Sequence, residues 1–220
     1  MTDTADIRIS AQQLDAFATP VAHAILKDSE SLRADLRAAV TERRETQDSL
    51  VRSNFGGWHS DTKMQDWGGD AARFVADKAV AIARRMSHFE GVEPADVHWS
   101  SYMWANLLPP GGVNMLHTHA GELWAAVFYV DTGSDEGGDA SVGGELVLED
   151  PRFPMTHMKD NRFRMKGADG QPQDHSMRLS LGAGHMVVFP AWLRHGVLPY
   201  KGGGERLSVA ININASVKRG

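Results

Sequence analysis

The sequence predicts a mainly β protein, a sandwich or barrel of short strands with helices packed on one outer face. Three observations indicate this class. From Val97 onward apolar residues recur with a period of two, glycine-rich turns interrupt that pattern, and before Gly91 the apolar spacing is helical. A chain of 220 residues is also long enough to bury roughly 70% of its unfolded surface without covalent cross-links.

Two amphipathic helices are predicted in the first part of the chain. The first carries its apolar residues at Leu32, Leu36, Ala39 and Val40, behind Ser29 or Ser31 as the candidate N-cap. The second carries an apolar stripe formed by Phe74, Val75, Ala79, Ile82 and Met86. We expect Asp70 to be its N-cap and Gly91 to lie just past its end, because these residue types favour those positions.

Seven strands are predicted in the second part, at residues 97–108, 123–130, 145–149, 177–181, 185–190, 195–199 and 206–214. Two segments, 131–144 and 158–176, have no clear period, and they are either solvated loops or lids over a site. We expect a single domain over residues 1–220, in which residues 1–95 form a mostly helical support and residues 96–215 form the β core.

The composition excludes several classes of protein. There is no cysteine, so the chain has no disulfides, thiolate zinc sites, iron–sulfur clusters or cysteine nucleophile. Its 23 basic and 28 acidic residues give a net charge of −5, which offers nucleic acid or an acidic membrane no attractive surface. The polar start is unlike a secretory signal and no apolar run approaches 18 residues, so we expect a soluble, cytoplasmic protein.

Three histidines form the densest chemical signal. His117 and His119 project from the same face of an extended segment, and two neutral imidazoles are a natural beginning for a first-row metal site. His195, in a turn between two apolar strands, offers a third ligand and leaves positions open for a chelating cosubstrate and O₂. The alternatives are two partly exposed loop histidines and a histidine that caps a strand end.

The strand at residues 206–214 has an unusually polar inner face. Arg206, Ser208, Ala210 and Asn212 alternate there with the apolar residues Leu207, Val209, Ile211 and Ile213. A buried arginine is costly unless it is paired, and a bound carboxylate would pair with Arg206 in bidentate geometry, with the Ser208 hydroxyl as a further donor. The alternative is a salt bridge from Arg206 to a protein carboxylate such as Asp150 or Glu149.

These residues belong to a longer set of motifs in a fixed order. The set comprises SNFGGWHS (53–60), WANLLPPGG (104–112), NMLHTH (114–119), VFYV (127–130), GELVLEDPR (144–152), FPAWLRH (189–195) and ERLS (205–208). With these motifs the chain resembles the Fe(II)- and 2-oxoglutarate-dependent oxygenase superfamily, specifically its small bacterial and phage branch. The resemblance implies a double-stranded β-helix (a cupin-like jelly roll) with Fe(II) at its open mouth, and hydroxylation of a substrate with release of succinate and CO₂.

The resemblance also implies roles for individual residues. His117 and His195 match the two histidine ligands of the superfamily, and Arg206 matches the residue that pairs with the distal carboxylate of 2-oxoglutarate, with Ser208 beside it. Asn106 and Tyr129 fall on strands that line the cosubstrate pocket in relatives. Tyr102 and Trp104 share a strand face with Asn106, and we assign these two to the core.

The middle ligand departs from the superfamily pattern. Most members have an acidic residue where this chain has His119, and an imidazole there leaves the iron centre more positive. Glu122 is the second candidate for this ligand, although a period of two turns it away from His117. Among the remaining histidines, His59 is expected to line a substrate entrance.

Two other functions stay open. One is a cupin-like metalloenzyme that does not use 2-oxoglutarate, such as an isomerase or another dioxygenase, and the other is a non-enzymatic jelly-roll binding module. The basic residues of 158–176 belong either to an ordinary solvated loop, which is the preferred interpretation, or to a site for an anionic or polypeptide substrate. The sequence identifies neither the substrate nor the oligomeric state.

Overall fold

The computed structural model describes residues 10–14, 16–133 and 140–217 of the chain. Eleven strands are present in this part: β1 (Ala22–Ile25), β2 (Asn54–Phe55), β3 (Trp58–His59), β4 (Val97–Leu108), β5 (Val113–His117), β6 (Trp124–Asp131), β7 (Leu146–Glu149), β8 (Ser176–Leu179), β9 (His185–Pro190), β10 (His195–Val197) and β11 (Arg206–Val217). The helices are α1 (Glu30–Thr46), α2 (Met64–Trp67) and α3 (Gly69–Arg85). No helix in the described part is long and apolar enough to cross a membrane.

The strands form two antiparallel sheets. The first has the order β1-β9-β6-β11-β4-β3 and the second has the order β2-β5-β10-β7-β8. From β4 to β11 the chain passes repeatedly from one sheet to the other, which is the winding of a jelly roll. The predicted fold class is therefore confirmed, with β1, β2 and β3 added at the sheet edges.

The helices cover the outer face of the six-stranded sheet. The outward residues of β11, Leu207, Val209, Ile211 and Ile213, are buried there in one apolar cluster with residues of α1 and α3. Helix α3 contributes small side chains at helical spacing, namely Ala72, Ala76, Ala79 and Ala83. This packing leaves the opposite, polar face of β11 directed between the two sheets.

The predicted ends of the second helix are wrong. Helix α3 begins at Gly69, and Asp70 lies within its first turn, where it pairs with Arg73 instead of capping. The preceding residue, Gly68, joins α2 to α3, and a Cβ there would lie 2.7 Å from both the Ala72 Cβ and the Met64 carbonyl oxygen. This close approach sets where the helix begins, whereas α3 ends at Arg85, well before Gly91.

All seven predicted strands are present, with ends that differ by a few residues. Four strands were not predicted: β1, β2, β3 and β5. Residues 134–139 of the first predicted loop lie outside the described residues. The second predicted loop, 158–176, consists of turns and an isolated bridge between Lys166 and Pro172, and its last residue begins β8.

Candidate active site

Three histidines meet at one end of the space between the sheets. His117 ends β5 and His195 begins β10, and these two residues lie directly opposite each other in the antiparallel pairing of the strands. His119 follows two residues later in a turn, where its backbone N–H donates to the Ala191 carbonyl at 2.9 Å. Residues that are 78 positions apart in the chain are thereby brought side by side.

The three rings are close enough to share one ion. Their centroids are 4.4 Å apart for His117 and His195, 4.9 Å for His117 and His119, and 5.0 Å for His119 and His195. One nitrogen of each ring lies within 4.8 Å of the others. The Nε2 atoms of His119 and His195 are 3.2 Å apart, close to the spacing of adjacent ligands with metal–nitrogen bonds of about 2.1 Å.

Backbone carbonyls fix two of these rings in the tautomer that metal binding needs. His117 Nδ1 donates to the Met115 carbonyl at 2.7 Å, and His195 Nδ1 donates to the Leu193 carbonyl at 2.8 Å. Because a carbonyl only accepts, each Nδ1 carries the proton and each Nε2 keeps its lone pair. The donor set thus fits a divalent first-row metal such as iron.

All three imidazoles are neutral at physiological pH. Burial lowers the pKa of His117, and burial together with the neighbouring histidines lowers the pKa of His119 to about 4 and that of His195 to about 3. A metal ion therefore does not have to displace a proton from these rings near pH 7.

A buried arginine lies further along β11. Arg206 is 6% exposed, and within the described residues it forms no ion pair. Its guanidinium lies over the rings of Tyr129 and Tyr200, at 5.4 and 5.7 Å from their centroids. A Cβ built on Gly144 would lie 3.0 Å from the guanidinium carbon, so Gly144 forms a close wall beside it.

Neither of the two carboxylates named as partners for Arg206 pairs with it. Glu149 pairs with Arg194 at 2.8 Å and Asp150 pairs with Arg152 at 2.7 Å. Both carboxylates are thus occupied by exposed arginines of their own neighbourhood. The guanidinium of Arg206 remains buried without a negative partner from the described residues, which is the situation that an anionic ligand would relieve.

The other predicted pocket residues lie beside Arg206 in one row of the sheet. Ser208 is paired with Asn106 on β4 and with Tyr129 on β6, so the three side chains share the inner face. The Asn106 Oδ1 is buried without a hydrogen-bond partner in the described structure, whereas the buried Tyr129 hydroxyl interacts with the Arg206 guanidinium. Burial raises the pKa of Tyr129, which is therefore a neutral donor at physiological pH.

Two aromatic residues that were assigned to the core lie at the site instead. Trp104 and Tyr102 lie on the inner face and not in the core cluster, and the Trp104 ring centroid is 5.6 Å from that of His119. His59, which was expected to line a substrate entrance, is buried and stacks on Trp104 with ring centroids 5.6 Å apart. The period-two pattern of β4 placed Tyr102 and Trp104 on the Asn106 face, and this was the signal for their position.

Glu122 lies next to the three histidines but makes a different contact. Its Oε1 accepts from the Tyr102 hydroxyl at 3.0 Å, and it is not part of the cluster of converging ligand atoms.

Some cations of the 158–176 loop are engaged in ion pairs, because Arg162 pairs with Asp160 and Arg164 approaches Asp174. The loop consequently offers a weaker attraction for anions than its sequence suggests.

A small set of side-chain ligands that leaves coordination positions open is typical of non-haem Fe(II) oxygenases, and this jelly roll combines such a set with a buried arginine. The sequence model of the family described as "Putative 2OG-Fe(II) oxygenase" matches residues 102–212, half of the chain. The chain belongs to this family, and it is an Fe(II)- and 2-oxoglutarate-dependent oxygenase. This membership decides against an enzyme without 2-oxoglutarate and against a non-enzymatic binding module.

Solved structures share the fold at low sequence identity. A Pseudomonas putida prolyl-4-hydroxylase has a TM-score of 0.56 and 20% identity, over 89% of this chain and 92% of that one. A viral collagen prolyl hydroxylase from Paramecium Bursaria Chlorella virus-1 has a TM-score of 0.53 and 11% identity, over 90% of this chain and 96% of that one. HygX from Streptomyces hygroscopicus, with nickel and 2-oxoglutarate bound, has a TM-score of 0.58 and 13% identity, over 89% of this chain and 83% of that one. No curated protein matches the chain in sequence.

Proposed function

We propose that this oxygenase holds Fe(II) with His117, His119 and His195 and hydroxylates a substrate presented at the open end of the two sheets. The single observation that carries the proposed site is the buried guanidinium of Arg206, which faces the same interior as the three imidazoles and has no carboxylate partner in the described structure. We assign it to the distal carboxylate of 2-oxoglutarate.

The pocket residues divide the binding of this diacid between them. Arg206 supplies the bidentate charge pair, and Ser208 donates a further hydrogen bond to the same carboxylate. The Asn106 Oδ1, which has no partner in the described structure, and the Tyr129 hydroxyl lie on the same sheet face as Ser208. Fixing one end of the diacid in this way would leave its 2-oxo acid end free to bind the metal held by the imidazoles, and such positioning would be the contribution of the protein.

The chemistry itself comes from the bound metal and cosubstrate: Fe(II), 2-oxoglutarate and O₂ together supply an oxidation strong enough to cleave a C–H bond, with succinate and CO₂ as by-products. The chain keeps the metal ligands neutral and oriented. Phe189, whose ring centroid is 4.6 Å from that of His195, and Trp104 restrict the access of water around the rings.

The substrate class is open between small molecules and polypeptides. Exposed apolar side chains of the segment between β7 and β8 favour a substrate with apolar surface, namely Phe153, Met155, Met158 and Phe163. This segment leaves the sheet beside the His195 row, because Leu148 on β7 pairs with both His195 and Met177. A role of the segment as a lid is part of the same proposal.

The Arg206→Gln variant tests the assignment. In anaerobic titrations of the Fe(II) protein, 2-oxoglutarate should produce a weak visible charge-transfer band in the wild type, and Arg206→Gln should weaken its binding at least 100-fold while Fe(II) binding persists. The matched control is Arg73→Gln, which removes an exposed arginine that pairs with Asp70. Wild-type affinity for 2-oxoglutarate in Arg206→Gln would refute the assignment.

A further inference from the structure

A buried asparagine contacts the outer nitrogen of the middle histidine. Asn212 is 3% exposed on the inner face of β11, and its side-chain amide nitrogen lies 3.2 Å from His119 Nδ1. The same amide nitrogen lies 2.8 Å from the Tyr102 hydroxyl, which in turn donates to Glu122 Oε1 at 3.0 Å. The other end of the amide, Asn212 Oδ1, is buried and has no hydrogen-bond partner among the described residues.

His119 differs from the other two histidines in what holds its Nδ1. Backbone carbonyls at His117 and His195 allow only the tautomer with the proton on Nδ1. At His119 the neighbouring group is an amide, whose oxygen and nitrogen exchange places by a half turn of the side-chain end. The orientation of this amide therefore decides which nitrogen of His119 carries the proton.

The two orientations have opposite consequences for metal binding. If the Asn212 NH₂ donates to Nδ1, the proton of His119 is on Nε2, where it can bond only to His195 Nε2 at 3.2 Å. If instead the Asn212 oxygen accepts from Nδ1–H, Nε2 keeps its lone pair and faces the position shared with the other two rings.

We propose that Asn212 is the positioning residue of the middle ligand: its side-chain oxygen accepts from His119 Nδ1–H and thereby turns the Nε2 lone pair toward Fe(II). In this arrangement the Tyr102 hydroxyl donates to the same amide oxygen and holds it in place. Glu122, which is half-buried at the end of the network, then no longer accepts a hydrogen bond from Tyr102, and water solvates its carboxylate instead. The proposal rests on the ligand set assigned above.

The test compares two replacements of Asn212. Asn212→Asp keeps an acceptor at His119 Nδ1, so Fe(II) should be bound at least as tightly as in the wild type. Asn212→Leu has a similar volume but no acceptor, so the dissociation constant should rise about 10- to 100-fold, the usual effect of losing a hydrogen-bond partner behind a metal ligand. The dissociation constant is measured anaerobically by competition with a chelator.

Asn214 provides the matched control. It is the next residue on the same face of β11, and its side chain donates to the Gly121 carbonyl and accepts from the Ala215 N–H. Asn214→Asp and Asn214→Leu should leave Fe(II) affinity within about twofold. In the zinc-loaded wild type, nitrogen NMR of His119 should report a protonated Nδ1, a signature that a purely structural role of Asn212 does not require.

The outcomes separate this inference from the proposed function. His119→Ala should lose Fe(II), and Glu122→Gln should keep it. If His119→Ala retains full Fe(II) occupancy, the assigned ligand set is wrong. If His119→Ala loses Fe(II) but Asn212→Leu binds it normally, or if Asn212→Asp is as weak as Asn212→Leu, the ligand set stands and the role of Asn212 is refuted.

Discussion

The polar residues of the site fall into two groups according to how they are satisfied. The Nδ1 atoms of His117 and His195 are bonded to backbone carbonyls within their own segments, so these rings are oriented before any ligand arrives. In the described structure Asn106 keeps a buried oxygen without a partner, and the buried Arg206 guanidinium, beside the Tyr129 hydroxyl, has no carboxylate to pair with. An unsatisfied buried polar group costs about 1–3 kcal/mol, and a ligand that supplies the missing partners recovers that energy as affinity.

A substitution at Gly144 tests the role of the Arg206 guanidinium without replacing any of the polar side chains. The Gly144 φ of +77° favours glycine, and an added Cβ would contact the Arg206 guanidinium at 3.0 Å. Gly144→Ala should therefore weaken 2-oxoglutarate binding about 10-fold or more while Fe(II) affinity is preserved, as measured by calorimetric titration with each ligand.

A control substitution at Gly170 separates the effect of the contact with Arg206 from the effect of backbone strain. The Gly170 φ is +76°, and a Cβ there would meet no atom within 4 Å. Both substitutions place a side chain in the left-handed conformation, so each should lower the free energy of unfolding by about 1–2 kcal/mol. Gly170→Ala should not change the affinity for 2-oxoglutarate. Equal affinities in the two variants would show that Gly144 does not shape the position of the guanidinium.

Among the elements, strand β11 contributes both to the apolar core and to the candidate active site. It is paired along its length with β4 and also with β6, so its backbone is fixed on both sides. One face contributes Val209 and Ile211 to the core under the helices, and the other presents Arg206 and Asn212 to the interior. A shift by one residue would exchange these faces, so the apolar core also secures the register of the site.

Helix α3 depends on small residues where it meets the sheet. Ala79 is fully buried against the sheet, whereas Ala81 on the same helix is exposed. Ala79→Leu should overpack this contact and lower the free energy of unfolding by about 1–3 kcal/mol, whereas Ala81→Leu should change it by less than about 0.5 kcal/mol. Denaturant unfolding of both variants measures the difference, and equal values would contradict the close packing of α3.

The elements predicted correctly are those with enough residues to show a period. The alternation over Val97–Leu108 and Arg206–Val217 is long, and both strands are where the sequence indicated. Strands β2 and β3 have only two residues each, and β5 exposes Met115 and Leu116 together, so it lacks an apolar alternation. Such strands form because an edge is available to pair with, and a single sequence does not contain that information.

The site was predictable in its residue types and less so in its contacts. The spacing of His117 and His119 and the polar alternation after Arg206 were local signals. The pairing of His195 with His117 is a cross-strand contact, and the link from Asn212 through Tyr102 to Glu122 joins three separate segments. The sequence pattern placed Tyr102 on the correct face, but its hydroxyl contacts depend on the assembled sheets.

At the scale of the whole molecule, the jelly roll makes the site a property of two sheets together. His117 and His195 belong to the five-stranded sheet, whereas Arg206 and Asn212 belong to the six-stranded sheet. Gly144, just before β7 of the second sheet, touches the guanidinium that β11 of the first sheet carries. Unfolding of either sheet therefore exposes the buried imidazoles, which links the protonation of the site to global stability.

This link predicts how the stability of the metal-free protein depends on pH. The folded state lowers the pKa of His119 to about 4 and that of His195 to about 3, whereas an unfolded histidine has a pKa near 6.5. Above about pH 6.5 these groups are neutral in both states and contribute no pH dependence. Below it the unfolded chain takes up protons that the folded protein does not, so the free energy of unfolding falls as the pH drops toward 4.

Denaturant unfolding in the presence of a chelator, at pH 7 and at pH 5, measures this loss. Each group can contribute up to about 1.4 kcal/mol per pH unit in this window. His195→Gln removes one group whose burial opposes protonation, so its stability should decline less between the two pH values than that of the wild type. His88→Gln, a change at an exposed histidine, should decline as the wild type does. If His195→Gln and the wild type lose the same free energy, His195 does not resist protonation in the folded protein.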